Sequence, residues 1–199
     1  MPSSELLEQV EKYIKNLLSE EILQGRPFHD FNHTFHVVRK CDELATHYNL
    51  SLEDKEILLT AAWFHDIGYI HGNINHEEDG AKIASAFLND RNLPSEFIDK
   101  VAALIRATKL PAKPVTLLEE MLCDADLHHL ASEDYFHWSD RLYKEIQMQS
   151  ETPIGKTTWI RENISFFKAH HYFTEYAIGL WDAQKQLNLQ ALISQSGQQ

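Results

Sequence analysis

Positive charge is what this sequence has least of. Eighteen Lys and Arg stand against 30 Asp and Glu, a net charge of −12, which repels a polyanion at long range and leaves no basic stripe for a nucleic-acid backbone. Polymeric DNA and RNA are not expected partners. A small anion stays open, because a metal ion and a few local Lys or Arg can reverse the field inside one pocket. Cysteine is nearly absent: Cys41 and Cys123 are the 2 thiols in 199 residues, too few for a disulfide framework. The 7 Gly and 6 Pro exclude a collagenous, linker-rich or low-complexity chain. No apolar run reaches the length of about 18 that a membrane helix needs; the densest, ILLTAAWF at 57–64, is interrupted by Thr60 and runs into His65 and Asp66. The start, MPSSELLEQVEKY, carries acids where a secretory signal has basic residues and a long apolar stretch. A reduced, cytoplasmic protein with no membrane span is the expectation.

What is present is apolar content and histidine. At 43% hydrophobic and 11% aromatic the chain can bury one substantial core. Twelve histidines invite a metal hypothesis. The apolar spacing is helical almost throughout, predicting an all-α chain of about eight or nine helices. A helix over 4–24 repeats Leu6, Leu7, Val10, Ile14, Leu17 and Leu18, capped by Ser3 or Ser4 and stopped at Gly25-Arg26-Pro27. A second is expected from Asp30 to Tyr48, and a third from the capping box Ser51-x-x-Asp54 to Gly68. Others follow over 76–89, 95–108, from the box Thr116-x-x-Glu119, and near 133–149, 157–170 and 174–193, before a frayed tail.

Three helices each direct a ligand-type group inward. In the second, His33 heads the row His33, Val37, Cys41, Ala45, whereas His36 shares a row with Lys40 and reads as more exposed. In the third, the apolar run delivers His65 and Asp66 with no polar turn between, and an unpaired carboxylate there would be costly. In the sixth, Asp124 lies on the polar row Glu120, Asp124, His128, and Asp126 on the apolar row Leu122, Asp126, Leu130. Asp126 therefore points in, and Asp124 reads as solvent-facing or supporting. Four inward groups of this kind are best explained by one shared ion, held by two His and two Asp. The pairs His128-His129 and His170-His171 each read as one buried and one exposed residue, since neighbours on a helix diverge by about 100°.

These segments resemble the HD superfamily of metal-dependent phosphohydrolases, whose pattern is a His, a His-Asp doublet after an apolar helix, and a distant Asp. HDFNHTFHVVRKCDELA is similar to the opening helix with His33 as ligand, AAWFHDIGY supplies His65 and Asp66, and CDADLHHLA resembles the closing motif with Asp126. The resemblance implies a single-domain HD-type bundle: an N-terminal helix at 1–27, the HD core with its metal site at 28–131, a C-terminal helical extension at 132–193 and a tail at 194–199. It implies a hydrolase that cleaves a phosphoester or phosphoanhydride bond of a small substrate, nucleotides foremost, by attack of metal-bound water. Asp66 and His76 are its catalytic candidates, with His71 a second possible acid, and the mixed donor set suits one divalent ion of Mn, Fe, Co, Ni or Zn. ALIRATKLPAKP carries no histidine where two-metal relatives have one, which argues against a second metal. Tyr69 stands where relatives often have lysine. Arg141, Lys168 and Lys109 are candidate phosphate contacts. The alternatives are an HD-type di-iron oxygenase and a non-catalytic nucleotide-binding HD module.

Overall fold

A computed structural model describes residues 5–18, 26–72 and 74–196. The expected caps Ser3 and Ser4, the stop residue Gly25 and the end of the tail lie outside the described residues. Within them the chain is all-α, with no strand: α1 (Glu5–Leu17), α2 (Phe31–His47), α3 (Leu52–Phe64), α4 (His76–Asn89), α5 (Ser95–Ala107), α6 (Leu117–Asp126), α7 (Tyr135–Gln149), α8 (Lys156–Ala169), α9 (Glu175–Leu180) and α10 (Asp182–Ser196). Short 3₁₀ helices, Ile67–His71 and Leu127–Ala131, follow α3 and α6. No described helix is long and apolar enough to cross a membrane.

The described helices fall into two compact units. His29–Asp126 and α1 form the first; the chain from Leu127 onward, joined by Pro27 and Phe28, forms the second. In the first, every residue from Ile57 to Phe64 is buried, because this part of α3 is packed by α1, α2, α5 and α6. That is why its hydrophobicity shows no helical period. Both expected caps form, and the box at Thr116 is reciprocal through the backbone. The Ser51 hydroxyl accepts from Asp54 N at 3.0 Å and donates to Asp54 Oδ2 at 2.8 Å, and Thr116 Oγ1 accepts from Glu119 N at 3.3 Å while Glu119 Oε2 accepts from Thr116 N at 3.2 Å.

Two glycines set the approach of the first 3₁₀ helix to α4. A Cβ on Gly68 would collide with the carbonyl of His76, and one on Gly80 would lie 3.0 Å from the carbonyl oxygen of Phe64. Backbone therefore meets backbone where the His-Asp doublet turns toward α4.

The second unit has its own core of Leu130, Tyr135, Ile160, Phe167 and Leu192. Asn188 Nδ2 stitches α10 to the carbonyls of Leu130 and Ser132, each at 2.8 Å. The helix expected over 174–193 is divided at Trp181, whose buried indole packs edge-on against His128, Tyr172 and Tyr176.

Candidate metal centre

Each candidate ligand is aimed by its backbone. Asp30 caps α2, its Oδ1 accepting His33 N–H at 3.0 Å, so His33 enters the helix on the buried side of the first turn. His65 closes α3, and its Nδ1 lies 2.8 Å from the carbonyl oxygen of Ala62. A carbonyl only accepts, so Nδ1 carries a proton, and in the neutral ring Nε2 is a lone pair. Asp66 leaves the helix at φ −105° and ψ 0°, which turns its carboxylate back alongside that ring. Asp126 is the last residue of α6.

The four side chains converge on one point. His33 Nε2 is 3.2 Å from Asp66 Oδ2 and 3.3 Å from Asp126 Oδ1; His65 Nε2 is 3.1 Å and 3.4 Å from the same two oxygens. One ligand atom from each residue lies within 4.8 Å of all the others. Donors bound to a single first-row ion at roughly 2.0–2.2 Å stand about 3.0–3.4 Å apart at right-angled to tetrahedral angles. His65 Nε2 is buried and makes no hydrogen bond. Lone pairs facing carboxylates in a dry place require positive charge between them. The residues therefore fit a divalent cation.

Electrostatics point the same way. Burial is the largest single influence on His33 and His65 and pulls their pKa values down, yet Asp66 and Asp126 outweigh it: His33 is raised above 6.5 and His65 well above it. Burial pushes Asp66 and Asp126 up, but the two imidazoles hold both below the usual carboxylate range. The cluster acts as a sink for two positive charges, supplied as two protons or as one divalent ion.

More side chains border the cluster than the motifs named. His76 Nε2 lies 3.8 Å from Asp66 Oδ1 and 3.6 Å from Glu77 Oε1, and Glu77 is buried. The ring of Tyr69 stacks on His76 with centroids 3.9 Å apart and on His29 at 4.0 Å. His29 also packs at 6.0 Å, edge-on, to the ring of His33.

A family model described as the HD domain matches residues 30–131. The chain belongs to the HD domain family. No curated protein matches its sequence. Among solved structures it is similar to a predicted HD superfamily hydrolase from an uncultured Thermotogales bacterium, at 21% identity and a TM-score of 0.62, over 96% of this chain and 91% of that one. At that identity the likeness is one of fold.

Within this HD domain, His33, His65, Asp66 and Asp126 come together as the spacing implied, and His76 borders them while His71 is exposed. Lys109 donates to Asn75 Oδ1 at 3.2 Å, which ties it to the residue before His76. Arg141 and Lys168 belong to the second unit. Arg141 Nε donates to the carbonyl of Pro27 at 2.6 Å and its guanidinium lies over Trp138, and Lys168 lines a cavity with His170, His171 and Lys185.

Two sequence expectations are corrected. Asp124 is fully buried, which removes the solvent-facing alternative and leaves the supporting one: Met121 to Ala125 are all buried because α6 packs against α2, α3 and α5. His128 and His129 are both buried, since the 3₁₀ turn sends one against Trp181 and the other against Phe28. His36 is half-buried and so more exposed than His33, as its row implied, and burial, helped by His33, lowers its pKa to about 4. His29 and Glu77 were missed. His29 precedes α2 and so escapes helix-row reasoning, although its place four residues before His33 was a usable signal.

Proposed function

We propose that this HD-domain protein is a metal-dependent phosphohydrolase that cleaves a phosphoester or phosphoanhydride bond of a small substrate, nucleotides foremost. The observation that carries the reading is the buried set of two imidazoles and two carboxylates with neighbouring donors 3.1–3.4 Å apart. The name of the Thermotogales protein, a predicted HD superfamily hydrolase, agrees with it. A divalent Mn, Fe, Co, Ni or Zn ion held by His33, His65, Asp66 and Asp126 supplies a Lewis acid that acidifies water and screens phosphate oxygens.

The chain's own residues manage the proton. Asp66 faces the cluster through Oδ2 and His76 through Oδ1, so Oδ1 is positioned to take the proton of the attacking water. Its depressed pKa makes it a poor final store. His76 Nε2, 3.8 Å from Oδ1, is the second station, from which the proton reaches the leaving oxygen. Lys109, held beside His76 through Asn75, is the first candidate for a phosphate contact; Arg141 is committed to Pro27 through its Nε. With a net charge of −12 the partners are small anions and not nucleic-acid polymers. Two free, buried cysteines suit a reducing compartment.

The test is release of phosphate or pyrophosphate from a panel of nucleotides and small phosphoesters with Mn²⁺, wild type beside Asp66→Ala. Turnover abolished in the variant is the expected result. No turnover by folded, metal-loaded wild type on any substrate would overturn the reading in favour of the oxygenase or the binding module.

A further inference from the structure

Outside the four-residue cluster, one aromatic ring holds two imidazoles. Tyr69 lies 4.0 Å from His29 at an interplanar angle of 29° and 3.9 Å from His76 at 16°. Two rings so close and so nearly parallel to a third cannot occupy the same face, so Tyr69 is sandwiched between them. Each member is anchored next to the cluster by a different piece of backbone. His29 adjoins the cap residue Asp30, whose carboxylate fixes His33 N–H. Tyr69 N donates to the carbonyl of Asp66 at 3.0 Å, in the 3₁₀ helix that follows the doublet. His76 opens α4, which that helix approaches through Gly68.

The stack borders the cluster on more than one side. His76 Nε2 is 3.8 Å from Asp66 Oδ1, and the ring of His29 is 6.0 Å from that of His33. His76 Nδ1 is buried with no hydrogen-bond partner, so no bond at that nitrogen orients the ring, and its plane is set by the face of Tyr69. With both its faces covered, Tyr69 is not a platform for stacking a substrate base.

We propose that Tyr69 is a positioning residue of this site, its ring the spacer that fixes the His29 and His76 imidazoles beside Asp66. The consequence for turnover rests on the phosphohydrolase reading; the placement of the two histidines does not. What the site requires of residue 69 is then a flat ring, and the hydroxyl is dispensable. Displacing groups that must lie within reach of the reacting atoms costs rate more than binding.

Two variants of the full chain test this, Tyr69→Phe and Tyr69→Leu, with folding checked by circular dichroism and by retained Zn²⁺ affinity, since the four ligands are untouched. In the Zn²⁺-loaded protein the imidazole C–H resonances of His29 and His76, assigned through His29→Gln and His76→Gln, are expected at ring-current-shifted positions in wild type and Tyr69→Phe. Tyr69→Leu should return them toward ordinary values. For turnover, Tyr69→Phe should keep wild-type kcat, and Tyr69→Leu should lose about a hundredfold in kcat with little change in KM. Equal losses in the two variants, or a Tyr69→Leu protein with unmoved resonances and full kcat, would overturn the proposal. A wild type that hydrolyses no phosphoester would instead defeat the functional reading, and the resonances would still decide whether Tyr69 holds the two rings.

Discussion

His33 and His65 each bring a ring nitrogen within 3.4 Å of two carboxylates, and protons compete with a metal ion for those nitrogens. In the metal-free protein both imidazoles are held above their ordinary 6.5. A raised histidine pKa contributes stability that is complete below the unfolded value and is lost as pH rises through the folded one. Metal-free protein should therefore lose thermal stability as pH climbs from about 6.5, and saturating Mn²⁺ should remove the loss by replacing the protons. Melting curves from pH 6 to 9, with EDTA and with Mn²⁺, decide this; a flat EDTA series would refute it. His36 and His170 act in the opposite direction. Burial depresses them to about 4 and about 3, so below 6.5 the unfolded chain takes up protons that the folded one refuses, and stability falls as pH falls. At the ligand positions, Asp126→Asn removes one charge from the sink and should weaken Mn²⁺ binding by at least the 10–100-fold typical of lost supporting contacts. Isothermal titration reads the change directly, and an unaltered affinity would remove Asp126 from the ligand set.

Among the elements, the junction from α3 through the 3₁₀ helix to α4 carries most of the constraint on the site. His65 and Asp66 sit at its start, Tyr69 in its middle and His76 at its end. Gly68 lets the two backbones touch at the carbonyl of His76. Gly68→Ala should force them apart and cost about 1–3 kcal/mol, the usual range for overpacking. Urea denaturation measures the cost, and a variant as stable as wild type would show that the junction has slack. The starts of α3 and α6 were legible because capping boxes are local chemistry, complete within four residues. The ends were not. Gly68 looked like a stop signal, yet α3 ends at Phe64 and a 3₁₀ helix takes over, and α6 likewise gives way to 3₁₀ after Asp126. The first 3₁₀ helix packs on α4, which follows it, and the second on α10, far along the chain, and neither contact can be read from a capping residue.

For the whole molecule, a ligand that binds only the folded state raises its stability by mass action. At a free concentration about 100 times its dissociation constant, a bound Mn²⁺ adds roughly 2.7 kcal/mol, which for a chain of this size is an increase of about 5–10 °C in Tm. Added hydrogen-exchange protection is expected in the first unit, on α2, α3, α6 and the first 3₁₀ helix. Protection that appeared only in α7 to α10 would mean that the ion binds elsewhere. The charge of −12 adds an expectation of its own: single-stranded DNA or RNA should not raise the fluorescence anisotropy of a labelled probe at physiological salt.

The sequence by itself determined the helical class, the buried run of α3 and the four residues that converge, because each of these is written in local periodicity or in residue type. It could not show that α6 is buried on the side of Asp124, that His128 and His129 are both enclosed, or that Tyr69 is sandwiched between His29 and His76. Those facts depend on which distant segment covers each face. A row of residues reveals its own period, but only the tertiary structure decides whether the opposite side of the helix meets water or another helix.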